Sequence, residues 1–183
     1  MNLSVLKDPA LYRLLLCVDA ELVELARSQG CPYCAGKLHD GGFARKPKGC
    51  PKRFLTPEFC WRTSLDCSVC RRRTLTPSVR FLGPKTYIGA VLVLVDARGC
   101  PSASALTEEL GVPERTVDRW RHWWRTVFVK SALWRNLRGR LARALEPRSL
   151  PAALLERVQA TESVQRLIRC LRLLAPLGMR ASA

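Results

Sequence analysis

Apolar residues recur at helical spacing ahead of the first cysteine pair, at Leu11, Leu14, Leu15, Val18, Leu22 and Leu25. That period predicts an amphipathic helix. Asp8 can cap it, Pro9 suits its first position, and Gly30 ends it just past Ser28. From 31 to 80 the texture changes to Cys, Pro and Gly among short strand-like runs, which predicts a small β module. Within it, 45–57 holds three prolines, three lysines and two arginines, the composition of an exposed basic loop. Helical pattern returns at 85–97, 102–110 and 114–130, with Gly111 between the last two. The rest predicts helices over about 132–145 and 152–174, parted by Glu146-Pro147 and Leu150-Pro151. The expected fold class is α+β, mainly α. Its parts are a covering helix (1–30), a cysteine-bearing β module with a basic loop (31–80), a helical centre (81–130) and a helical tail (131–183).

Charge changes the picture of the partner. The chain of 183 residues carries 31 basic and 15 acidic side chains, a net of +16. So strong a self-repulsion points to a polyanion, with nucleic acid first. The excess is concentrated, at +8 over 31–80 and +7 over 131–183, against −1 over 1–30 and +2 over 81–130. Arginine outnumbers lysine 24 to 7, and a forked guanidinium suits phosphate.

Nine cysteines then need a chemistry. Residues 1–7 lack a charged start leading into an apolar core, so no cleavable signal is expected. The apolar run 88–95 is too short to span a bilayer. The expected location is cytoplasmic, with no membrane partner, and there closely spaced thiols read as metal ligands rather than disulfides.

Cys31-Pro32-Tyr33-Cys34 and Cys67-Ser68-Val69-Cys70 are two CxxC turns, each of which aims two thiolates at one point. Two such turns close the tetrahedron that one structural Zn2+ requires. The 32 residues between them exceed the separation in compact zinc ribbons, and the basic loop accounts for the excess. Residues 31–80 are therefore expected to be a zinc ribbon whose fold the metal sustains. Lys37 and Arg71-Arg72-Arg73 can offset the charge of the four thiolates. The string Cys31-Pro32-Tyr33-Cys34 also resembles the active site of glutaredoxin-like thiol oxidoreductases. Those enzymes place the first cysteine at the start of a helix after a strand; here a helix precedes the pair and hairpin-like sequence follows it. Cys17 and Cys170 are expected as buried small hydrophobes on helices. Cys50, Cys60 and His39 leave a second metal site open.

Residues 102–120 have the layout of a helix-turn-helix. Gly111 permits the turn, Leu106, Leu110 and Val112 pack inward, and Val117 with Trp120 anchors the second helix. Trp124 and Val127/Phe128 extend that anchor. The opposite stripe carries Arg115, Asp118, Arg119, His122 and Arg125, the donors that a helix in a major groove presents. Arg115 and Arg119 suit base edges or phosphates; Arg121 and Arg125 suit phosphates. Further phosphate contacts are expected from Arg71, Arg72 and Arg73 and from Lys46, Lys48, Lys52 and Arg53 in the basic loop.

The order of parts, from Cys67-Ser68-Val69-Cys70-Arg71-Arg72-Arg73-Thr74 through an apolar helix into a helix-turn-helix, resembles the N-terminal DNA-binding region of bacterial insertion-sequence transposases. The resemblance covers about residues 31–128. It implies that the four cysteines bind metal and that the helix bearing Arg115–Arg125 reads DNA. Such transposases continue into a catalytic domain with three separated carboxylates. After Asp118 this chain has only Glu146, Glu156 and Glu162, in helical sequence that offers no strand to mount them. The expectation is a bacterial, nucleoid-associated DNA-binding protein, transposase-like and mobile-element-associated, that is not an enzyme. Its partners would be double-stranded DNA and a transposase or a second copy of itself. A transcriptional regulator, a zinc-ribbon protein-interaction adaptor and a thiol oxidoreductase are the alternatives.

Overall fold

The computed structural model describes residues 3–82, 87–94, 107–108, 111–140 and 145–179. Helix α1 spans Pro9–Ser28, with the Asp8 carboxylate accepting from the Ala10 amide at 2.8 Å. Gly30, at φ +73°, turns the chain out of the helix. A three-stranded antiparallel sheet follows in the order β1 (Leu38–Ala44), β2 (Trp61–Cys67), β3 (Arg73–Leu75). Its register sets Leu38 opposite Cys67, Phe43 opposite Arg62 and Ser64 opposite Leu75. Beyond it come α2 (Gly89–Leu94), α3 (Glu114–Thr126), α4 (Ala132–Arg140), α5 (Ala152–Arg157) and α6 (Ser163–Leu174). The chain is α+β and mainly α.

One large core gathers α1, α2, α3 and α6 around Leu11, Leu15, Ile88, Leu92, Trp124, Phe128, Leu167 and Leu171. The tail folds back, with α6 packed against both α1 and α2. A second, much smaller core joins Cys31, Leu38, Leu65 and Cys67 under the sheet, with Val23 and Ala26 of α1 packed on it. Helix α1 therefore serves both cores.

Five differences from the sequence-based expectations have physical causes. On α1 the buried stripe is Leu11, Tyr12, Leu15, Val18 and Asp19, while Leu14 and Leu25 face solvent. Asp19 is tolerated there because it is fully satisfied: Ser78 Oγ donates at 2.7 Å, the Val79 amide at 2.6 Å and Arg80 Nε at 2.7 Å. Arg80 donates onward to the carbonyls of Glu58, Phe59 and Trp61. This ion pair, with both side chains only 6% exposed, ties α1 to the sheet and to the segment leading into α2.

The basic loop is not simply a solvated excursion. Pro47 is buried, the Phe54 ring stacks on Tyr12 at 3.9 Å, and Lys48 forms a parallel bridge with Tyr87 in which the Ile88 amide donates to the Lys48 carbonyl. That bridge holds residues 87–88 extended, so α2 starts at Gly89 rather than at Lys85. The long tail helix is broken at 158–162, where α5 ends and Glu162 enters α6 in an extended conformation. Arg166 and Arg169 bond the Ala160 and Gln159 carbonyls left over by that break. Cys170 is buried as expected, but Cys17 is exposed, because it lies about 100° round the helix from Val18 at the edge of the buried stripe.

Candidate metal centre and basic surfaces

Each cysteine pair is built as the same backbone knuckle. In the first, the Ala35 amide donates to the Cys31 carbonyl at 2.8 Å and the Cys31 amide to the Gly36 carbonyl at 3.0 Å. In the second, the Arg71 amide donates to the Cys67 carbonyl at 3.1 Å and the Cys67 amide to the Arg72 carbonyl at 3.0 Å. Ala35 and Arg71 both take positive φ, +57° and +59°. Left-handed backbone costs a non-glycine residue about 1 kcal/mol or more, and both knuckles bear it at the same place. The repeated strain is a mark of two turns built to one pattern.

The knuckles meet across the end of the sheet. Cys31 Sγ lies 3.6 Å from Cys70 Sγ and Cys34 Sγ lies 3.5 Å from Cys67 Sγ, and all four sulfurs fall within 4.8 Å of one another. A tetrahedron with metal–sulfur bonds of about 2.3 Å has sulfurs roughly 3.8 Å apart, so the four are spaced to hold one metal ion. The Cys70 and Val69 amides point at Cys67 Sγ and hold its thiol down to about 6, while, against the Arg72 amide, burial and the neighbouring thiols Cys31, Cys67 and Cys34 push the Cys70 thiol up to about 11. Gly36 permits the close approach, because a Cβ there would lie 2.7 Å from Val69 Cγ2 and 3.2 Å from Cys34 Sγ.

Among the described residues, no second group of three or more ligands gathers around Cys50, Cys60 and His39. Burial and the neighbouring Cys60 push the Cys50 thiol up to about 12, which disfavours its thiolate. His39 sits on β1 opposite Asp66.

The basic residues expected to meet DNA lie on the surface. Arg71, Arg72 and Arg73 are exposed beside the second knuckle; Arg72 lies 4.6 Å over the Tyr33 ring and Arg73 pairs with Asp66 at 2.9 Å. Lys46, Lys48, Lys52 and Arg53 are exposed around the loop, with Lys48 at 6.0 Å over the Tyr87 ring and Arg53 bonded to the Lys7 carbonyl.

On α3, Val117, Trp120 and Trp124 are buried, and Trp124 Nε1 donates to the Leu92 carbonyl at 3.0 Å; past the helix end Phe128 is buried, while Val127 at the C-cap is exposed rather than part of the apolar face. Arg115, Arg119, His122 and Arg125 are exposed on the opposite side, while Arg121 is half-buried and paired with Asp118. Arg119 is steadied by a 3.1 Å bond to Thr116 Oγ1. Ahead of α3, Thr107 and Glu108 are helical and Gly111 follows at φ +62°, its amide donating to the Thr107 carbonyl. The remainder of the expected first helix, at 102–106 and 109–110, lies outside the described residues.

Sequence reasoning missed the Asp19–Arg80 fastening and the exposed rings of Tyr33, on the first knuckle, and Phe43, on β1. A carboxylate in register with an apolar helical stripe was the available signal for the first. Among the described residues, no helix is long and apolar enough to cross a membrane.

Fold and site together define a class: a helical protein carrying a paired four-cysteine knuckle module able to hold one metal ion. Comparison with known protein families, curated proteins and solved structures gave no match.

Proposed function

We propose that this chain is a zinc-dependent DNA-binding protein, transposase-like and mobile-element-associated, without nuclease activity of its own. The observation that carries the reading is helix α3. One of its sides is locked to the core through Trp120 and Trp124, and the other offers Arg115, Arg119, His122 and Arg125 to solvent. A helix gripped on one side and basic on the other can enter a major groove without disturbing its own packing. Cys31, Cys34, Cys67 and Cys70 would hold one zinc ion, which supplies folding energy rather than chemistry on a substrate. The surrounding charge of Arg71, Arg72, Arg73, Lys46, Lys48, Lys52 and Arg53 supports a role in phosphate attraction, with duplex DNA as the partner.

The test is binding of a duplex selected from a random pool, followed across salt concentrations. Replacing Arg115 and Arg119 together by alanine is expected to weaken binding and to reduce the salt slope by roughly 0.9 for each phosphate no longer neutralised. It should also flatten the sequence preference if either side chain reads a base edge. Unchanged affinity, slope and preference would overturn the reading.

A further inference from the structure

We propose that the face of the sheet turned away from α1 binds an unpaired stretch of DNA by stacking bases on Tyr33 and Phe43. The two faces of the sheet are covered by different parts of the chain, and the cover on one of them is incomplete. Toward α1, Leu38, Leu65 and Cys67 are buried. On the other face, Arg62 and Ser64 of β2 are buried, with Arg62 bonded to the Gly178 carbonyl of the tail, but Phe43 of β1 is 38% exposed, Tyr33 of the first knuckle 45% and Met179 39%. These three, with Pro32, Leu75 and Arg73, line a groove of about 370 Å³, within the size range of clefts that take small planar ligands.

The surroundings select the occupant. Arg72 lies 4.6 Å over the Tyr33 ring, and Arg71 and Arg73 stand exposed beside it. Residues 31–80 hold eleven basic and three acidic side chains, and two of those acids are already paired, Asp66 with Arg73 and Asp40 with Arg27. Interfaces between proteins deplete charge at their centres, whereas open rings set among guanidinium groups suit a polyanion whose bases carry exposed π faces. In a duplex those faces are stacked on one another, so the rings can engage only an unpaired strand. The surface is separate from α3, and the choice of DNA over RNA rests on the function proposed above.

The experiment uses the full metal-loaded chain and three fluorescent probes: a 20-mer of deoxythymidine, a duplex of the same length and a 20-mer of uridine. The wild type is expected to bind the deoxythymidine strand more tightly than the uridine strand. Tyr33→Ala and Phe43→Ala should each weaken the single strand roughly tenfold, at about 1.4 kcal/mol per tenfold for one stacking contact. Both should leave duplex binding and metal content unchanged. Tyr33→Phe and Phe43→Tyr keep the ring and should keep the affinity, which separates stacking from damage to the fold. Wild-type binding of the strand by the double alanine variant would overturn the proposal, as would a preference for uridine or no single-strand binding at all. Arg115→Ala with Arg119→Ala should do the reverse, weakening the duplex and sparing the single strand. Unchanged duplex binding in that variant therefore counts against the α3 reading and leaves this one standing.

Discussion

The two cores of this molecule are held by different means. The helical core gathers side chains from α1, α2, α3 and α6 around Trp124, Phe128, Leu92 and Leu171, and burial on that scale can sustain a fold. The sheet rests on Cys31, Leu38, Leu65 and Cys67, and two of those four are themselves metal-site thiols. Without the metal, the small core would consist of two leucines and two free thiols lying against Val23 and Ala26 of α1. Apolar area orders one region, and coordination chemistry would have to order the other.

The largest expected effect breaks the comparison open. Stripping the metal with a chelator should remove a contribution on the order of 10 kcal/mol from the sheet. Amides of β1–β3 should then exchange rapidly while those of α6 and the inner face of α1 stay protected. Equal loss in both regions would mean that the metal supports the whole chain.

Next comes the fastening between the regions. Asp19→Ala leaves Arg80 buried without its partner and should cost about 3–5 kcal/mol in chemical denaturation. Because Asp19 also accepts from Ser78 and Val79, the loss should reach both cores. Gly36→Ala is smaller: the new methyl group must push Val69 aside, and Val69 is exposed enough to yield, so about 1 kcal/mol is expected, together with weaker metal retention. Smallest is Arg115→Ala with Arg119→Ala, which should change stability by no more than about 0.5 kcal/mol per site. A larger loss would show that these side chains belong to the packing of α3 rather than to its outer surface.

Much of this arrangement was legible from the residues, and what was missed shares a cause. The cap at Asp8, the length of α1 and the convergence of the two cysteine pairs follow from local rules of capping and spacing. The outward stripe of α3 follows from helical period. Periodicity, however, ranks positions by apolarity, so it placed Leu14 and Leu25 inside and passed over Asp19, whose burial depends on partners about sixty positions away. The same limit hid the pinning of the basic loop, which needs Phe54 on Tyr12 and Lys48 beside Tyr87. It also hid the exposed rings of Tyr33 and Phe43, since how much of each strand face is covered is decided by α1 and by the end of the tail. Spacing could show that four thiols converge, but the matching positive-φ residues Ala35 and Arg71 could not be read from it.

Native mass spectrometry of the purified full chain tests the central claim most directly. One zinc ion per chain is expected, lost in Cys31→Ser and Cys67→Ser and retained in Cys50→Ser and Cys60→Ser. A chain that carries no metal, or one that keeps its zinc after Cys67→Ser, would contradict it.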